Sequence, residues 1–171
     1  MIVTPFWVAG KEAEAMTPDD FKLGMRRLAA GVSLITTTNR GVRHGLVATA
    51  VNSVTADPPT LLVCINKNAS AHDHVAEAGL LCVNVLSDEH EAVAGRFSSA
   101  LNREQRFDHD EWRAIATGAP ALVNCLVSFD CEVRQQVHYG SHSIFLAEIV
   151  GLEVWCEAIS PLLYLDGKYR Y

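Results

Sequence analysis

Seven histidines are the residues of this sequence best able to hold a metal ion or to donate a hydrogen bond to a ligand. His72 and His74 flank Asp73 as in a short metal-binding motif, but helix positions two apart point to different faces. We therefore interpret this pair as part of a solvated helix surface. His142 lies at the entrance to an apolar strand, where it would either donate to a ligand carbonyl or carboxamide, or satisfy a turn carbonyl.

The stretch GLVATAVNSVT, residues 45–55, combines small and hydroxylated side chains in a region whose composition predicts a strand. Such a run cannot fill a core by itself, and it leaves backbone N–H and C=O groups open to anything that lies flat on it. An isoalloxazine ring, whose N5, O4 and N3 edge needs backbone partners, would suit this surface. An edge strand with polar side chains explains the same residues, and the spacing does not separate the two interpretations.

A third candidate is NKNAS, residues 66–70, between an apolar strand and a helix. It offers a cation, hydroxyl and amide donors and a helix N-terminus in one place, which suits a phosphate group. An ordinary helix cap beside a surface lysine is the alternative. No GxGxxG or GxxxxGK[ST] motif occurs, so a nucleotide phosphate must be bound without a Rossmann unit or a P-loop.

The elements that must position these residues follow from periodicity and turn signals. The pattern predicts helices over about 18–30, 69–78 and 87–98, and strands over 32–38, 42–55, 60–66, 80–86, 121–134, 141–155, 162–165 and 169–171. Many strands joined by hairpin signals, with helices only between some of them, favour a mainly β fold. We predict an antiparallel closed or partly closed barrel with a few peripheral helices.

Composition bounds the class of protein. A chain of 171 residues with 49% hydrophobic and 20% charged content suits one domain, predicted over 17–171 after an N-terminal arm over 1–16. The formal charge of −6 argues against nucleic acid as a partner, and the apolar runs are too short for a membrane helix. Five cysteines without a CxxC pair, and no export leader, predict a soluble cytoplasmic protein with reduced thiols.

Several blocks taken together resemble the short-chain flavin reductase family, including the reductase component of 4-hydroxyphenylacetate 3-monooxygenase. The resemblance runs from about Phe21 to Tyr171 and is carried by LAAGVSLITT, HGLVATAVNSVTADPPTLLVCINKNAS, LCVNVLS, RFDHDEW, LVSFDCEV and GSHSIFLAEIVGLE. It implies a split β-barrel of Greek-key type that binds FMN or FAD. It also implies a homodimer with the flavin near the subunit interface, and reduction of the flavin by NADH or NADPH.

The resemblance also implies roles for individual residues. The stretch that contacts the flavin ring and ribityl chain corresponds to Thr49, Ala50 and Ser53. On physical grounds, backbone amides near Ala48 to Val51, or a helix N-terminus, would stabilise the negative charge that develops on the reduced ring. Asn66 and Ser70 fall nearest the phosphate, and Phe97 and Arg106 complete the flavin pocket. His142 matches the histidine of a Gly-x-His motif associated with nicotinamide binding and is the candidate catalytic residue. Tyr169 falls near that site.

The predicted function is therefore NAD(P)H:flavin oxidoreductase, with hydride transfer from nicotinamide to flavin and a partner monooxygenase as recipient of the reduced flavin. Two alternatives remain: a flavin-dependent reductase of a cobalt corrinoid, and a flavin-binding protein without turnover. The sequence departs from the family pattern at Val47, where threonine is frequent, at Asn52 and at Ser141. The loss of a hydroxyl at Val47 predicts a weaker, more readily exchanged flavin.

Overall fold

The computed structural model describes residues 16–171, so nearly all of the predicted arm lies outside the described residues. The helices are α1 (Pro18–Met25), α2 (His72–Ala78) and α3 (Glu91–Ser98), with 3-10 turns at Asp88–His90 and Arg103–Gln105. The strands are β1 (Ala30–Gly31), β2 (Ser33–Asn39), β3 (Val42–Ala48), β4 (Val51–Ala56), β5 (Pro59–Asn66), β6 (Leu80–Val85), β7 (Trp112–Ala114), β8 (Pro120–Leu122), β9 (Val127–Tyr139), β10 (His142–Val154), β11 (Leu163–Leu165) and β12 (Lys168–Arg170).

The main sheet has seven antiparallel strands in the order β3-β2-β6-β9-β10-β5-β4. One core cluster draws on strands across the whole sheet, including Ile35 of β2, Val63 of β5 and Phe145 of β10. The sheet therefore wraps around a single interior, while its two edge strands, β3 and β4, do not pair with each other. This is the split barrel predicted from the sequence, with helices at its periphery.

A second core lies outside the barrel wall. Leu34 and Leu86 pack there with Phe97 of α3 and with Leu162, beside the small sheet β1-β11-β12. This cluster holds α3 against β3, and α3 therefore forms a wall beside that strand.

The strand predicted over 42–55 is divided in two, and the division changes the fold. Residues up to Ala48 pair with β2, whereas residues from Val51 pair with β5 at the opposite edge of the sheet. Thr49 and Ala50 cross between the two edges and belong to neither strand. A stretch of uniform β propensity gives no sign of this change of partner, because partner choice is set by tertiary packing.

Helix α1 begins as predicted but ends earlier. Thr17 and Asp20 form a reciprocal capping box, in which the Asp20 backbone N–H donates to Thr17 Oγ1 at 3.2 Å. The helix ends at Met25 rather than near residue 30, because Ala30 and Gly31 pair with β11. None of its residues is buried in the described structure.

The cysteines are free in the structure. Cys82, Cys125 and Cys131 are buried, and burial raises the pKa of Cys125 to about 11 and that of Cys131 to about 12. These thiols stay protonated and unreactive at neutral pH. In residues 16–171, no helix combines the length and apolarity needed to span a membrane.

Candidate functional site

A groove of about 910 Å³ opens at the split of the barrel, between the end of β3 and the end of β5. Its walls come from the ends of β3 and β5, the crossing at Thr49 and Ala50, the C-terminal end of α3, the β9–β10 turn and helix α1. The volume falls within the range of pockets that bind drug-sized ligands and cofactors.

Most of the predicted site residues line this groove. They are Ala48, Thr49, Ala50, Asn66, Ser70, Phe97, Arg106 and His142. Ser53 lies on the exposed strand β4 and is not part of the lining, nor is Tyr169, which packs edge-on against Tyr164 at 5.7 Å between ring centroids. The structure therefore brings the other predicted site residues together in one groove and places Ser53 and Tyr169 outside it.

The floor of the groove is apolar at β3 and polar at the crossing that follows. Leu46 and Ala48 are nearly buried, whereas Thr49 and Ala50 are exposed. The Ala50 carbonyl accepts a hydrogen bond from the Cys64 backbone N–H at 2.9 Å, which ties the crossing to β5. Small side chains and exposed backbone thus meet at one place, which provides a surface on which a flat ring could lie.

The α3 wall depends on an aromatic ring and a buried guanidinium. Phe97 is 3% exposed and stands edge-on to Phe107, with ring centroids 5.1 Å apart. Arg106 is 6% exposed and donates to the carbonyl oxygens of Gly45, at 3.3 Å, and Ser99. Its Nε has no hydrogen-bond partner among the described residues. Burial, with Arg103 nearby, lowers the pKa of the Arg106 guanidinium.

The segment at 66–70 does not act as the helix cap that the sequence left open as an alternative. Asn66 Oδ1 accepts from the Asn68 backbone N–H at 2.9 Å and closes a turn. The N-cap position of α2 is Ala71, and no side chain caps that helix. Ser70 is exposed and faces the groove. Its hydroxyl is therefore not committed to the helix and can serve a ligand.

His142 stands at the rim, paired with Asn66 across the β5–β10 ladder. Its Nδ1 lies 2.9 Å from Ser141 Oγ. Lys67 fastens the β9–β10 turn from the other side, since its ammonium donates to Gly140 O at 2.8 Å and its backbone N–H donates to Ser141 O at 2.9 Å. The turn reaches a positive φ of 52° at Gly140, a conformation that favours glycine.

The charge of the groove is opposite to that of the whole chain. Arg103 and Arg106 line it, and the residues described as its lining include no carboxylate, although the formal net charge of the protein is −6. Burial raises the pKa of the Cys64 thiol, so it stays protonated beside the groove. The arrangement suits binding of an anionic, flat ligand and offers no nucleophile or carboxylate acid–base pair.

The interpretation of His72 as a solvated residue was wrong. Its ring is 5% exposed, and its Nε2 lies 2.8 Å from the buried Ser143 Oγ. His74 points elsewhere and stacks on His44 with ring centroids 3.4 Å apart. The two side chains diverge, and no cluster of three His, Cys, Asp or Glu side chains able to hold a metal occurs in residues 16–171. His72 is buried because α2 packs this face onto the barrel.

Sequence reasoning missed several groove residues. Phe21 and Met25 of α1 line the groove, although their helical spacing is the ordinary signal of a core-facing stripe. Tyr139 joins them from the end of β9. Arg103, one turn before Arg106, is the residue that a search for paired cations could have found.

Comparison with known proteins agrees with this geometry. Residues 25–171 match the family model described as a flavin reductase like domain. The chain is 45% identical over 164 residues to an FMN reductase (NADH) RutF of Pantoea ananatis, with 95% of this chain and 85% of the relative covered.

Two solved structures share the fold at lower identity. One is the NADH:FAD oxidoreductase SgcE6 of Streptomyces globisporus in complex with NAD and FAD fragments: 26% identity, TM-score 0.83, 93% of this chain and 96% of that chain. The other is BorF, the flavin reductase component of a bacterial two-component tryptophan halogenase. It is 29% identical, with a TM-score of 0.82, and the match covers 90% of this chain and 97% of that chain. Because the family model covers residues 25–171, and with them every strand of the barrel, the chain belongs to the flavin reductase-like domain family.

Proposed function

We propose that this chain reduces FMN with NADH in the groove between β3 and β5 and releases the reduced flavin to a separate enzyme. The observation that carries the proposal is a groove that has the exposed residues Thr49 and Ala50, two guanidinium groups and no carboxylate among its described lining. Reduction of flavin by a nicotinamide nucleotide is the chemistry of the family. FMN and NADH are chosen because they are the substrates named for the Pantoea relative.

The described residues fit a flavin. Ala48 is small enough for a ring to lie against β3, and the exposed Thr49 and Ala50 offer backbone groups to the ring edge. The flavin supplies the redox chemistry, a hydride acceptor at N5. Backbone donors near the ring would stabilise the negative charge of the reduced form, because dipoles fixed in place cost no reorganisation when charge appears.

The phosphate end of the ligand would lie at Ser70, Arg103 and Arg106. These residues share one part of the groove lining and supply a hydroxyl and two guanidinium groups. A guanidinium matches phosphate oxygens with two parallel donors.

His142 would position the nicotinamide. It stands at the rim of the same groove and is held by a turn that Lys67 and Ser141 fix, so its imidazole is presented in one place. A hydride passes directly between two rings and needs no side-chain acid, so the role of His142 is to hydrogen-bond the carboxamide and hold the ring.

Release of the product follows from the openness of the site. Thr49, Ala50, Asn66 and Ser70 are all exposed, and Val47 offers no hydroxyl to the flavin. A reductase that hands reduced flavin to a monooxygenase or a similar enzyme needs this ready exchange. BorF, a reductase component of a two-component system, is a structural neighbour that supports such a partner.

The buried, protonated thiols of this chain suit the reducing environment of the cytoplasm.

A second copy of the chain would cover α1. Phe21 and Met25 of α1 and Leu28, three residues after the helix ends, are 55%, 48% and 62% exposed and form an apolar stripe that a monomer leaves in water. Phe21 and Met25 also line the groove. A homodimer built on this stripe would therefore place the flavin near the subunit interface.

Purified protein tests the proposal directly. The flavin released on denaturation is identified, and NADH and NADPH are then titrated with FMN under anaerobic conditions. FMN turnover with a preference for NADH supports the proposal. Bound flavin that stays oxidised in the presence of both nucleotides supports the flavin-binding protein without turnover. Sustained NADH oxidation only when a cobalt corrinoid is added as electron acceptor supports the corrinoid reductase. Relatives named FMN reductase favour the first result.

A further inference from the structure

A buried polar cluster lies behind the rim of the groove, where α2 meets the first residues of β10. Ser143 of β10 is 0% exposed, and its Oγ lies 2.8 Å from Nε2 of His72 and 2.9 Å from Nδ1 of His138. His72 comes from α2 and is buried, and His138 comes from β9 and is exposed. We call these three residues the Ser143 cluster. None of them belongs to the described lining of the groove.

One arrangement of protons satisfies every contact in the cluster. An ionised carboxylate only accepts, so the His72 Nδ1–H donates to Asp73 Oδ1 at 2.7 Å. In the neutral imidazole, Nε2 then accepts from the Ser143 hydroxyl, and the Ser143 oxygen accepts in turn from the His138 Nδ1–H. The donors run in one direction, from His138 to Asp73, and the Ser143 hydroxyl is held on both sides.

Ser143 is an exception among the inward-facing residues of β10. The next two inward positions are Phe145 and Ala147, which belong to the apolar core of the barrel, and Ser143 is the one buried polar residue of this strand. A buried hydroxyl costs free energy unless it is hydrogen-bonded. A fully bonded polar group in an apolar core specifies one arrangement of its neighbours more strictly than apolar packing does. The cluster is therefore suited to fixing the first residues of the strand.

The residue that the cluster holds is the chain neighbour of His142. Successive side chains of a strand point to opposite faces, so Ser143 faces the barrel interior and His142 faces the groove. Lys67 fastens the turn before His142, and the cluster fastens the residue after it. The imidazole that faces the groove is thus held from both directions along the chain.

We propose that Ser143 is a positioning residue for the hydride donor: bonded between His72 and His138, it fixes the first residues of β10 so that His142 meets the nicotinamide. The proposal rests on the function proposed above, in which His142 binds the carboxamide. The cluster stands outside the groove and acts through the place and direction of His142. It therefore affects binding of the nucleotide and not of the flavin.

Steady-state kinetics separate this role from a structural one. We expect Ser143→Ala to raise the KM for NADH about threefold to fivefold, the loss of one buried hydrogen bond, with kcat and the dissociation constant for FMN changed less than about twofold. Ser128→Ala is the matched control, because Ser128 is also 0% exposed and its hydroxyl is bonded to Asn84 and Trp155. It should lower the urea midpoint about as much as Ser143→Ala does and leave the KM for NADH unchanged. An equal rise in KM in both variants would overturn the proposal.

Variants of His138 protect the test against misfolding, because this residue is exposed. His138→Ala removes one of the partners of Ser143 and should raise the KM for NADH about twofold. His138→Asn, whose side-chain amide can occupy the place of Nδ1, should restore it. A KM that stays at the wild-type value in both Ser143→Ala and His138→Ala, or that His138→Asn fails to restore, would contradict the assignment.

A double-mutant cycle with His142→Ala tests the route of the effect. In that background Ser143→Ala should raise the KM for NADH no further, because no imidazole remains to be positioned. A further rise of the same size would overturn the proposal and leave the NADH site standing. An unchanged KM in His142→Ala alone would refute the role of His142, and this proposal with it. Absence of FMN reduction by the wild type would refute the proposed function itself.

Discussion

At the residue scale, His142 is the side chain to which the proposed function gives the most specific role. It stands at the groove rim on a turn that Lys67 holds by two hydrogen bonds, and its own contact is to Ser141. Within residues 16–171, no carboxylate lies within hydrogen-bonding distance of its ring. Its fixed position suits binding of a nicotinamide carboxamide.

We predict that His142→Ala raises the KM for NADH about fivefold, because one hydrogen bond of about 1 kcal/mol is lost, with kcat and flavin affinity little changed. Steady-state kinetics and flavin titration measure the two effects separately. His142→Asn keeps a polar group near Ser141 Oγ and should recover part of the loss. Kinetics of His142→Ala indistinguishable from wild type would remove His142 from the mechanism.

Single residues were predictable where their neighbours in sequence are also their neighbours in space. Thr49, Ala50, Asn66 and Ser70 fall in short local patterns, and they line the groove. Ser53 follows the same local pattern but lies beyond the crossing, on the exposed strand β4. The pattern therefore includes a residue that the fold places outside the groove.

At the scale of elements, α3 and β3 approach too closely for any side chain at one position. A Cβ at Gly45 would lie 2.7 Å from Phe97 Cε1 and 3.2 Å from the Ile35 carbonyl oxygen. The same glycine offers its carbonyl to Arg106. The groove wall thus depends on the missing side chain of Gly45.

We predict that Gly45→Ala destabilises the protein by about 1–3 kcal/mol, because Phe97 must move, and that it weakens flavin binding. Gly95→Ala is the matched control on α3, where an added Cβ meets nothing within 4 Å. It should stabilise the helix by about 0.5–1 kcal/mol. Urea unfolding measures both, and equal effects of the two substitutions would contradict this account of the wall.

The 3-10 turn before α3 contains a histidine whose titration couples to folding. His90 is nearly buried and shares a 2.6 Å hydrogen bond between its Nδ1 and Ser87 Oγ. Burial lowers the pKa of His90 below its ordinary value of 6.5, against the opposing charges of Asp110 and Glu89. The unfolded chain therefore takes up the proton more readily than the folded one.

It follows that the contribution of His90 to stability is complete above pH 6.5 and is lost as the pH falls from 6.5 toward its lowered folded pKa. We predict a decrease in the urea midpoint between pH 7 and pH 5. His90→Asn keeps a nitrogen or oxygen near Ser87 Oγ but does not titrate, so its midpoint should fall less over the same range. A wild-type midpoint constant from pH 7 to pH 5 would contradict this.

Whether a segment forms a helix or a strand was predictable from the sequence, but the strand with which it pairs was less so. The β-branched and apolar runs of β2, β5 and β6 form strands as their composition predicts. The division at Thr49 and Ala50 and the end of α1 at Met25 both depend on pairing with distant strands, β5 and β11. Local propensity does not encode such pairing, and the same limit explains why His72 was assigned to the surface.

At the scale of the whole molecule, the exposed stripe of α1 predicts self-association. We expect Leu28→Asp, which puts a charge into the stripe without touching the flavin groove, to shift the protein from dimer to monomer. Sedimentation equilibrium measures the change. Ile159→Asp, at a residue 85% exposed and far along the chain, is the control and should not alter it. A wild type that is monomeric at every concentration would contradict the assignment.

The central claim is that the split of the barrel holds a flavin and reduces it with a nicotinamide nucleotide. The most direct test mixes the purified chain with FMN and NADH in an anaerobic stopped-flow cell and follows the absorbance bands of both. We expect the NADH band and the oxidised flavin band to disappear together, at a rate that depends on the presence of the protein and that falls at low NADH in His142→Ala. Loss of neither band, or loss that proceeds equally without the protein, would contradict it.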